Sequence, residues 1–213
     1  GWNYLENDAK NLSEIVNTNE GIGVIVFITE SCNLRCSYCK VMDMITSQNK
    51  KSINAEAIVD SLLECLNLAT GLVNVTFYGG EPLLKFAEID KICETLSEKS
   101  SRFRYSITTN GTRFSNEIAY ILKKHKFVVG VSMDSSEVIH DQNRNFINAS
   151  NSHSTVSVNY RRMKEIGIEC GPIAVITDPT KIPEMFDYFI NNFNEHFIYL
   201  KPLDVVGTEN IEK

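Results

Sequence analysis

Three closely spaced cysteines are the residues of this chain best suited to chemistry. Cys32, Cys36 and Cys39 stand in the segment CNLRCSYC, which has CxxxCxxC spacing. The other three of the six cysteines lie singly in apolar stretches. A disulfide framework is typical of short secreted chains, and this chain is neither short nor loop-rich. The trio therefore indicates thiolate ligands for a metal in a reducing compartment.

The number of ligands indicates which kind of metal site this is. A zinc knuckle uses four Cys or His ligands in characteristic pairs, and no His lies near the trio. An iron–sulfur cluster accepts three protein thiolates when a substrate or cofactor supplies the remaining ligand. The trio favours such a cluster, and a zinc site or simply buried thiols are the alternatives.

Hydrophobic periodicity predicts alternating strands and helices around the trio. The predicted strands are Ile22–Thr29, Val73–Tyr78, Phe103–Thr109, Phe127–Met133, Ile173–Thr177 and Phe197–Leu200. The predicted helices are Asn54–Leu68, with Asn54 as N-cap, Leu83–Leu96, Asn116–Lys124, Thr155–Ile166 and Pro183–Asn192. Residues 135–153 are polar and are predicted to form a loop with one helical turn. Near-continuous apolar strands separated by helices indicate an α/β protein with a parallel sheet covered by helices.

The candidate functional residues follow the predicted strands. The cysteine segment begins after the first strand, Gly79–Glu81 follows the second, Asn110 the third, and Ser132–Asp134 the fourth. Ligands of parallel α/β sheets and barrels bind at the carboxyl ends of the strands. The positions of the motifs and of the strands were found independently, so their coincidence supports a common site.

The cysteine segment follows the first predicted strand, and Gly79-Gly80-Glu81-Pro82 follows the second. With these two motifs, the sequence resembles the radical SAM superfamily. The resemblance implies a partial (β/α)6 TIM-like barrel, with residues 1–20 as an N-terminal extension and 21–213 as the core domain. It implies that Cys32, Cys36 and Cys39 hold three irons of a [4Fe–4S] cluster. The fourth iron would bind the amino and carboxylate groups of S-adenosyl-L-methionine (SAM), which is cleaved to methionine and a 5′-deoxyadenosyl radical.

The resemblance also implies which residues contact the methionine part of SAM. Gly79, Gly80 and Glu81 match the stretch that meets the amino group, where close backbone approach needs glycine. Arg144 in His-Asp-Gln-Asn-Arg matches an arginine that binds the carboxylate through its planar fork. Ser132 matches a polar residue that contacts the ribose or the methionine part.

Three further positions match residues around the adenine and the pocket. Tyr38, the aromatic residue before the last cysteine, matches a position near adenine. Asn110, in Thr-Thr-Asn-Gly-Thr, matches a residue that lines the SAM pocket at a strand end. Ile176 on the fifth predicted strand would offer its backbone to adenine by position alone.

The combination GGEP, TTNGT, SMD and HDxxR resembles the peptide- and protein-modifying branch, which includes anaerobic sulfatase maturases and maturases of ribosomally made peptides. That branch implies a peptide or protein substrate and an external electron donor of the flavodoxin or ferredoxin kind. Such relatives usually carry a cysteine-rich SPASM or twitch domain with auxiliary clusters, and no such cysteines follow the sixth predicted strand in this sequence. The chain also has Asp134-Ser135 where the branch often shows Asp-Gly. The alternatives are a radical SAM enzyme for a small molecule or cofactor precursor, and a non-catalytic iron–sulfur binding or redox module.

Composition sets the remaining limits. The net charge of −6 and the pI of about 5.3 argue against binding nucleic acid through phosphate neutralisation. No apolar run approaches the length of a membrane span, and the start lacks a secretory signal, so we expect a cytoplasmic protein. A six-stranded arc cannot close as eight strands do, and Asp204–Lys213 is short and polar. We therefore expect an exposed apolar barrel wall that an additional C-terminal domain, a partner subunit or the substrate would cover.

Overall fold

The computed structural model describes residues 21–39, residue 41 and residues 54–203. Its strands are β1 (Ile22–Thr29), β2 (Leu34–Cys36), β3 (Val73–Gly79), β4 (Phe103–Thr109), β5 (Val128–Ser132), β6 (Arg144–Phe146), β7 (Cys170–Ile176) and β8 (Tyr199–Pro202). Its α-helices are α1 (Ala55–Leu68), α2 (Phe86–Lys99), α3 (Asn116–Lys124), α4 (Glu137–Asp141), α5 (His153–Glu165) and α6 (Ile182–Phe193). The predicted extension 1–20 and the segment 204–213 lie outside the described residues.

Six parallel strands form one curled sheet in the order β1-β3-β4-β5-β7-β8. The predicted partial barrel is thereby confirmed as a six-stranded half-barrel. Every crossover between neighbouring strands contains a helix, as parallel pairing requires. Because all six strands run the same way, their carboxyl ends meet at one edge of the sheet.

The core lies between the sheet and the helices. In β3, the side chains of Val73, Val75 and Phe77 are buried, and they alternate with more accessible residues. The alternate residues of the sheet point to the concave inner face, where several large apolar side chains are exposed. These are Ile25, Phe27, Val128 and Tyr199.

Local sequence signals explain where the helices begin and end. The Asn54 side chain accepts hydrogen bonds from the amides of Glu56 and Ala57, as an N-cap does. Gly167, directly after the C-cap of α5, has a φ of +76° that suits glycine at a helix end. The predicted helix Leu83–Leu96 begins as a 3₁₀ turn, Pro82–Lys85, because the Glu81 side chain caps the amide of Leu83.

A two-stranded ribbon is the main element that the sequence did not predict. β2 pairs with β6 in antiparallel fashion, so that Cys36 lies opposite Arg144. β6 lies in the polar stretch predicted as a loop, whose helical turn is α4. Each strand of the ribbon has only three residues, too few for a periodic pattern.

No described helix is both long enough and apolar enough to cross a bilayer.

Candidate active site

The cysteine loop runs from the end of β1 through β2. Cys32 precedes β2, Cys36 ends it, and Cys39 follows a turn in which its amide donates to the Cys36 carbonyl at 3.1 Å. Burial raises the pKa of the Cys36 thiol to about 11, and the nearby Arg144 cation opposes this rise. The thiolates of Cys39 and Cys32 add to the rise. All three thiols lie within eight residues of one another on the same loop. Among the described residues, no three Cys, His, Asp or Glu side chains converge on a single-ion site. A cluster needs no such convergence, because each thiolate binds a different iron.

The glycine turn after β3 is tied to the backbone that leads into Cys32. The Gly80 amide donates to the Thr29 carbonyl at 2.7 Å, and the Glu81 amide donates to the Ser31 carbonyl at 2.8 Å. A Cβ at Gly80 would lie 2.4 Å from the Ser31 oxygen, and one at Gly79 would lie 2.2 Å from the Thr29 oxygen. Gly79 also has a φ of +144°. Both positions therefore require glycine for the close approach of two backbones.

The Glu81 carboxylate is fully buried and accepts three internal hydrogen bonds. Oε1 accepts from the Leu83 amide at 2.9 Å and from the Thr109 hydroxyl at 2.7 Å, and Oε2 accepts from the Asn110 amide at 2.7 Å. Burial raises the pKa of this carboxyl, although these hydrogen bonds favour its charged form. The structure thus uses the carboxylate to join the glycine turn to the end of β4. Its predicted contact with the amino group of SAM stays a prediction.

Asn110 lies beside the first cysteine. Its Nδ2 donates to Asn33 Oδ1 at 2.9 Å and lies 3.7 Å from Cys32 Sγ. Its Oδ1 accepts from both the amide and the hydroxyl of Thr112, at 3.0 and 2.6 Å. The Leu34 amide also donates to Cys32 Sγ at 3.4 Å. Burial raises the pKa of the Cys32 thiol, and the two N–H groups that point at its sulfur oppose this rise.

A buried charge group flanks the second cysteine. The Tyr38 hydroxyl donates to Asp134 Oδ2, and Arg144 Nε lies 3.0 Å from the same oxygen. The Arg144 guanidinium carbon lies 5.3 Å from the centre of the Tyr38 ring. Arg144 Nε is buried and has no hydrogen-bond partner among residues 21–39 and 54–203, so its contact with Asp134 is an ion pair. Although burial opposes its charge, the Asp134 carboxylate raises the pKa of Arg144 above its usual range.

A chain of hydrogen bonds through His140 supports this pair from behind. The Asp134 amide donates to His140 Nδ1 at 3.3 Å. The other ring nitrogen, His140 Nε2, lies 2.9 Å from Ser152 Oγ, and the Ser152 hydroxyl donates to the Arg144 carbonyl. The pattern assigns the proton of a neutral imidazole to Nε2. Burial, together with the nearby Arg144 cation, lowers the pKa of His140 to about 3.

The remaining predicted residues lie at the same edge of the sheet. Ser132 ends β5, pairs with Ile173 and is half-buried. Ile176 ends β7 and pairs with Pro202. The predicted residues therefore gather in two sets, with Asn110 and Glu81 near Cys32, and Tyr38 and Arg144 near Cys36.

The sequence places Asp134 after a strand end but gives it no role. Only the structure shows that the Asp134 carboxylate joins Tyr38 and Arg144. The available signal was the position of Asp134 directly after a parallel strand.

The six parallel strands, with a thiol-rich loop at their carboxyl ends, define a partial α/β barrel whose candidate site lies at that edge. The chain belongs to the Radical SAM superfamily, whose sequence pattern matches residues 26–188.

The chain is similar to several sulfatase-maturating enzymes. A cysteine-type anaerobic sulfatase-maturating enzyme of Clostridium perfringens is 31% identical over 85% of this chain and 51% of its own length. A serine-type enzyme of Bacteroides thetaiotaomicron is 28% identical over 81% of this chain and 44% of its own length. The structure of native anSMEcpe with bound AdoMet and Cp18Cys peptide matches with a TM-score of 0.73 at 25% identity, over 86% of this chain and 51% of that one. The chain thus spans about half the length of these relatives.

Proposed function

We propose that the chain is a radical SAM enzyme that modifies a peptide or protein substrate. The observation that carries this proposal is the placement of Cys32, Cys36 and Cys39 on one loop at the carboxyl edge of the half-barrel, with Asn110 beside Cys32 and Arg144 opposite Cys36. The similarity to sulfatase-maturating enzymes supports the substrate class.

The donor set fits a [4Fe–4S] cluster. The other cysteines lie elsewhere, with Cys65 on α1, Cys93 in the core of α2 and Cys170 at the start of β7, opposite to the site edge. Three thiols therefore remain for the cluster, and one iron is left for SAM. When bound, the cluster supplies the electron that cleaves SAM to methionine and a 5′-deoxyadenosyl radical, which takes a hydrogen atom from the substrate. An external donor of the flavodoxin or ferredoxin kind would supply that electron.

Burial raises the pKa of the Cys32 and Cys36 thiols, and three nearby groups oppose this rise. The Asn110 amide and the Leu34 amide face Cys32 Sγ. The Arg144 cation lowers the pKa of Cys36 against the larger effect of burial. Metal binding removes the proton of a coordinating thiol, and these groups offset part of the cost of burying the resulting charge.

SAM would be held by residues that retain binding capacity. A guanidinium carries five N–H donors, and Arg144 Nε lies 3.0 Å from Asp134 Oδ2, so the terminal nitrogens would take the methionine carboxylate. Glu81 would act mainly by fixing the backbone of Gly79 and Gly80, whose carbonyls suit the amino group. Ser132, Tyr38 and Ile176 would contact the ribose and adenine from their places at the same edge.

The experiment is anaerobic reconstitution with iron and sulfide, followed by dithionite and SAM. Mass spectrometry should detect 5′-deoxyadenosine with the wild type and with Cys65→Ala, but not with Cys36→Ala. A loaded wild-type cluster that leaves SAM intact would contradict the proposal and favour a non-catalytic iron–sulfur module. Cleavage of SAM that leaves every offered peptide unmodified, while a small-molecule precursor is converted, would overturn the substrate class.

A further inference from the structure

The Asp134 carboxylate connects three parts of the site. Its Oδ1 accepts a hydrogen bond from the Val175 amide at 3.0 Å, and its Oδ2 contacts the Tyr38 hydroxyl and Arg144 Nε. These partners come from β7, the cysteine loop and β6. Asp134 itself lies two residues beyond the end of β5. One side chain thus fixes the cysteine loop and Arg144 to the carboxyl edge of the sheet.

The backbones of Asp134 and Arg144 are also held relative to each other. The His140 ring accepts a hydrogen bond from the Asp134 amide and also contacts the Ser152 hydroxyl. That hydroxyl donates to the Arg144 carbonyl. Asp141 Oδ1 accepts from the amides of Ser152 and His153, at 3.0 and 2.9 Å, and so anchors Ser152. The relative position of carboxylate and guanidinium is therefore set by the main chain as well as by their attraction.

The Asp134–Arg144 pair is the most buried ion pair of the described residues. The Asp134 side chain is 0% exposed and that of Arg144 is 8%, whereas in each other described ion pair the more exposed partner is at least 24% exposed. Removing two charges from water costs about as much as their attraction returns, and such pairs can often be replaced by apolar residues without loss. A pair this buried, beside Cys36, is better explained by what it positions.

We propose that Asp134 is a positioning residue: it holds the Nε side of Arg144, so that the terminal nitrogens stay available for the carboxylate of SAM. The inference rests on the proposed function, because it assigns a role within the SAM site. It goes beyond that function by making the affinity for the methionine part depend on a carboxylate that touches neither the cysteines nor SAM.

The test compares two ligands, of which only one carries the amino-acid part with its carboxylate. S-adenosylhomocysteine carries the amino-acid part, and 5′-methylthioadenosine lacks it. Calorimetry on the anaerobic, cluster-loaded protein should show that Asp134→Asn weakens binding of S-adenosylhomocysteine by about tenfold, since a charge-assisted contact is misplaced. Binding of 5′-methylthioadenosine should stay within about twofold. Equal weakening of both ligands, or of neither, would overturn the proposal.

A double variant tests whether Asp134 acts through Arg144. Arg144→Gln should weaken S-adenosylhomocysteine at least as much as Asp134→Asn, and the double variant should bind no more weakly than Arg144→Gln alone. The double variant also removes the unpaired buried charge that could unfold Asp134→Asn. Its comparison with Arg144→Gln therefore remains decisive if the single Asp134 variant does not fold, and a double variant that binds S-adenosylhomocysteine more weakly than Arg144→Gln does would overturn the proposal.

The same experiment separates this inference from the proposed function. A cluster-loaded wild type that binds neither S-adenosylhomocysteine nor SAM would contradict the proposed function and the role of Asp134 together. A wild type that binds both ligands, with an Asp134→Asn variant that binds them equally well, would contradict the role of Asp134 alone.

Discussion

Ser135 shows how a single residue can conflict with its surroundings at the edge of a site. Its φ is +140°, a region that favours glycine, and its hydroxyl is buried without a hydrogen-bond partner among the described residues. The peptide-modifying branch that this sequence resembles often has glycine at this position. The chain therefore holds Ser135 in a strained conformation directly beside Asp134.

Replacing Ser135 by glycine should stabilise the protein. The change relieves backbone strain and removes an unsatisfied hydroxyl, and these gains exceed the entropy that glycine adds to the unfolded chain. We expect the free energy of unfolding to rise by roughly 1–2 kcal/mol in urea titrations. The neighbouring Ser136, with a φ of −57° and no capping hydrogen bond, is the matched control. Ser136→Gly should destabilise slightly, and equal effects of the two changes would contradict this account.

His140 makes stability depend on pH. Its pKa is lowered to about 3 in the folded protein, first by burial, against a usual value of 6.5. Between these values the unfolded chain binds a proton that the folded chain does not. This contribution to stability is therefore fully present above about pH 6.5 and is lost as the pH falls toward 3.

Asparagine at position 140 offers an oxygen to the Asp134 amide without the titration. Urea unfolding of the iron-free chain should show that the wild type loses up to about 1.4 kcal/mol more per pH unit than His140→Asn on acidification below pH 6.5. Parallel pH profiles of the two proteins would show that His140 is accessible to protons in the folded state.

At the scale of elements, the strands and helices that hold the site follow from local patterns. The strand Phe103–Thr109 and the helix Asn116–Lys124 were predicted with their observed bounds, because apolar periodicity and turn residues delimit them. The ribbon of β2 and β6 was not predictable, since its pairing joins residues more than a hundred positions apart. The role of Asp134 was hidden because its partners Tyr38 and Val175 lie 96 and 41 positions away in sequence.

The glycine turn after β3 positions Cys32 through backbone contacts. Gly80→Ala should push the Ser31 carbonyl away, since the new Cβ would lie 2.4 Å from its oxygen and 2.7 Å from that of Glu30. We expect a loss of about 1–3 kcal/mol in stability and a reduced iron content after reconstitution. Gly23→Ala is the control, because a Cβ there meets nothing within 4 Å. Full iron content in Gly80→Ala would show that the turn does not position the cysteine.

At the scale of the whole molecule, the two faces of the half-barrel differ. The convex face is buried under the helices, whereas the concave face exposes Ile25 at 73% and Phe27 at 39%. The segment 204–213, expected to be too short to cover this wall, lies outside the described residues. The chain spans about half the length of its relatives, and we predict that further chain, a partner or substrate completes this side of the site.

Two isoleucines of β1 test which face is buried. Ile25→Thr should change the free energy of unfolding by no more than about 0.5 kcal/mol, because its side chain is largely exposed. Ile28→Thr, at a fully buried position, should cost about 2–4 kcal/mol through lost packing and a buried hydroxyl. Similar losses at both positions, measured by urea unfolding, would show that the concave face is covered in the folded chain.

The central claim is that Cys32, Cys36 and Cys39 hold one [4Fe–4S] cluster whose remaining iron is open to SAM. The most direct measurement is electron paramagnetic resonance of the reduced, reconstituted protein before and after SAM is added, with the iron content determined on the same sample. We predict about four irons per chain and a reduced-cluster signal that shifts on addition of SAM. About eight irons per chain, or a signal that SAM leaves unchanged, would contradict the claim.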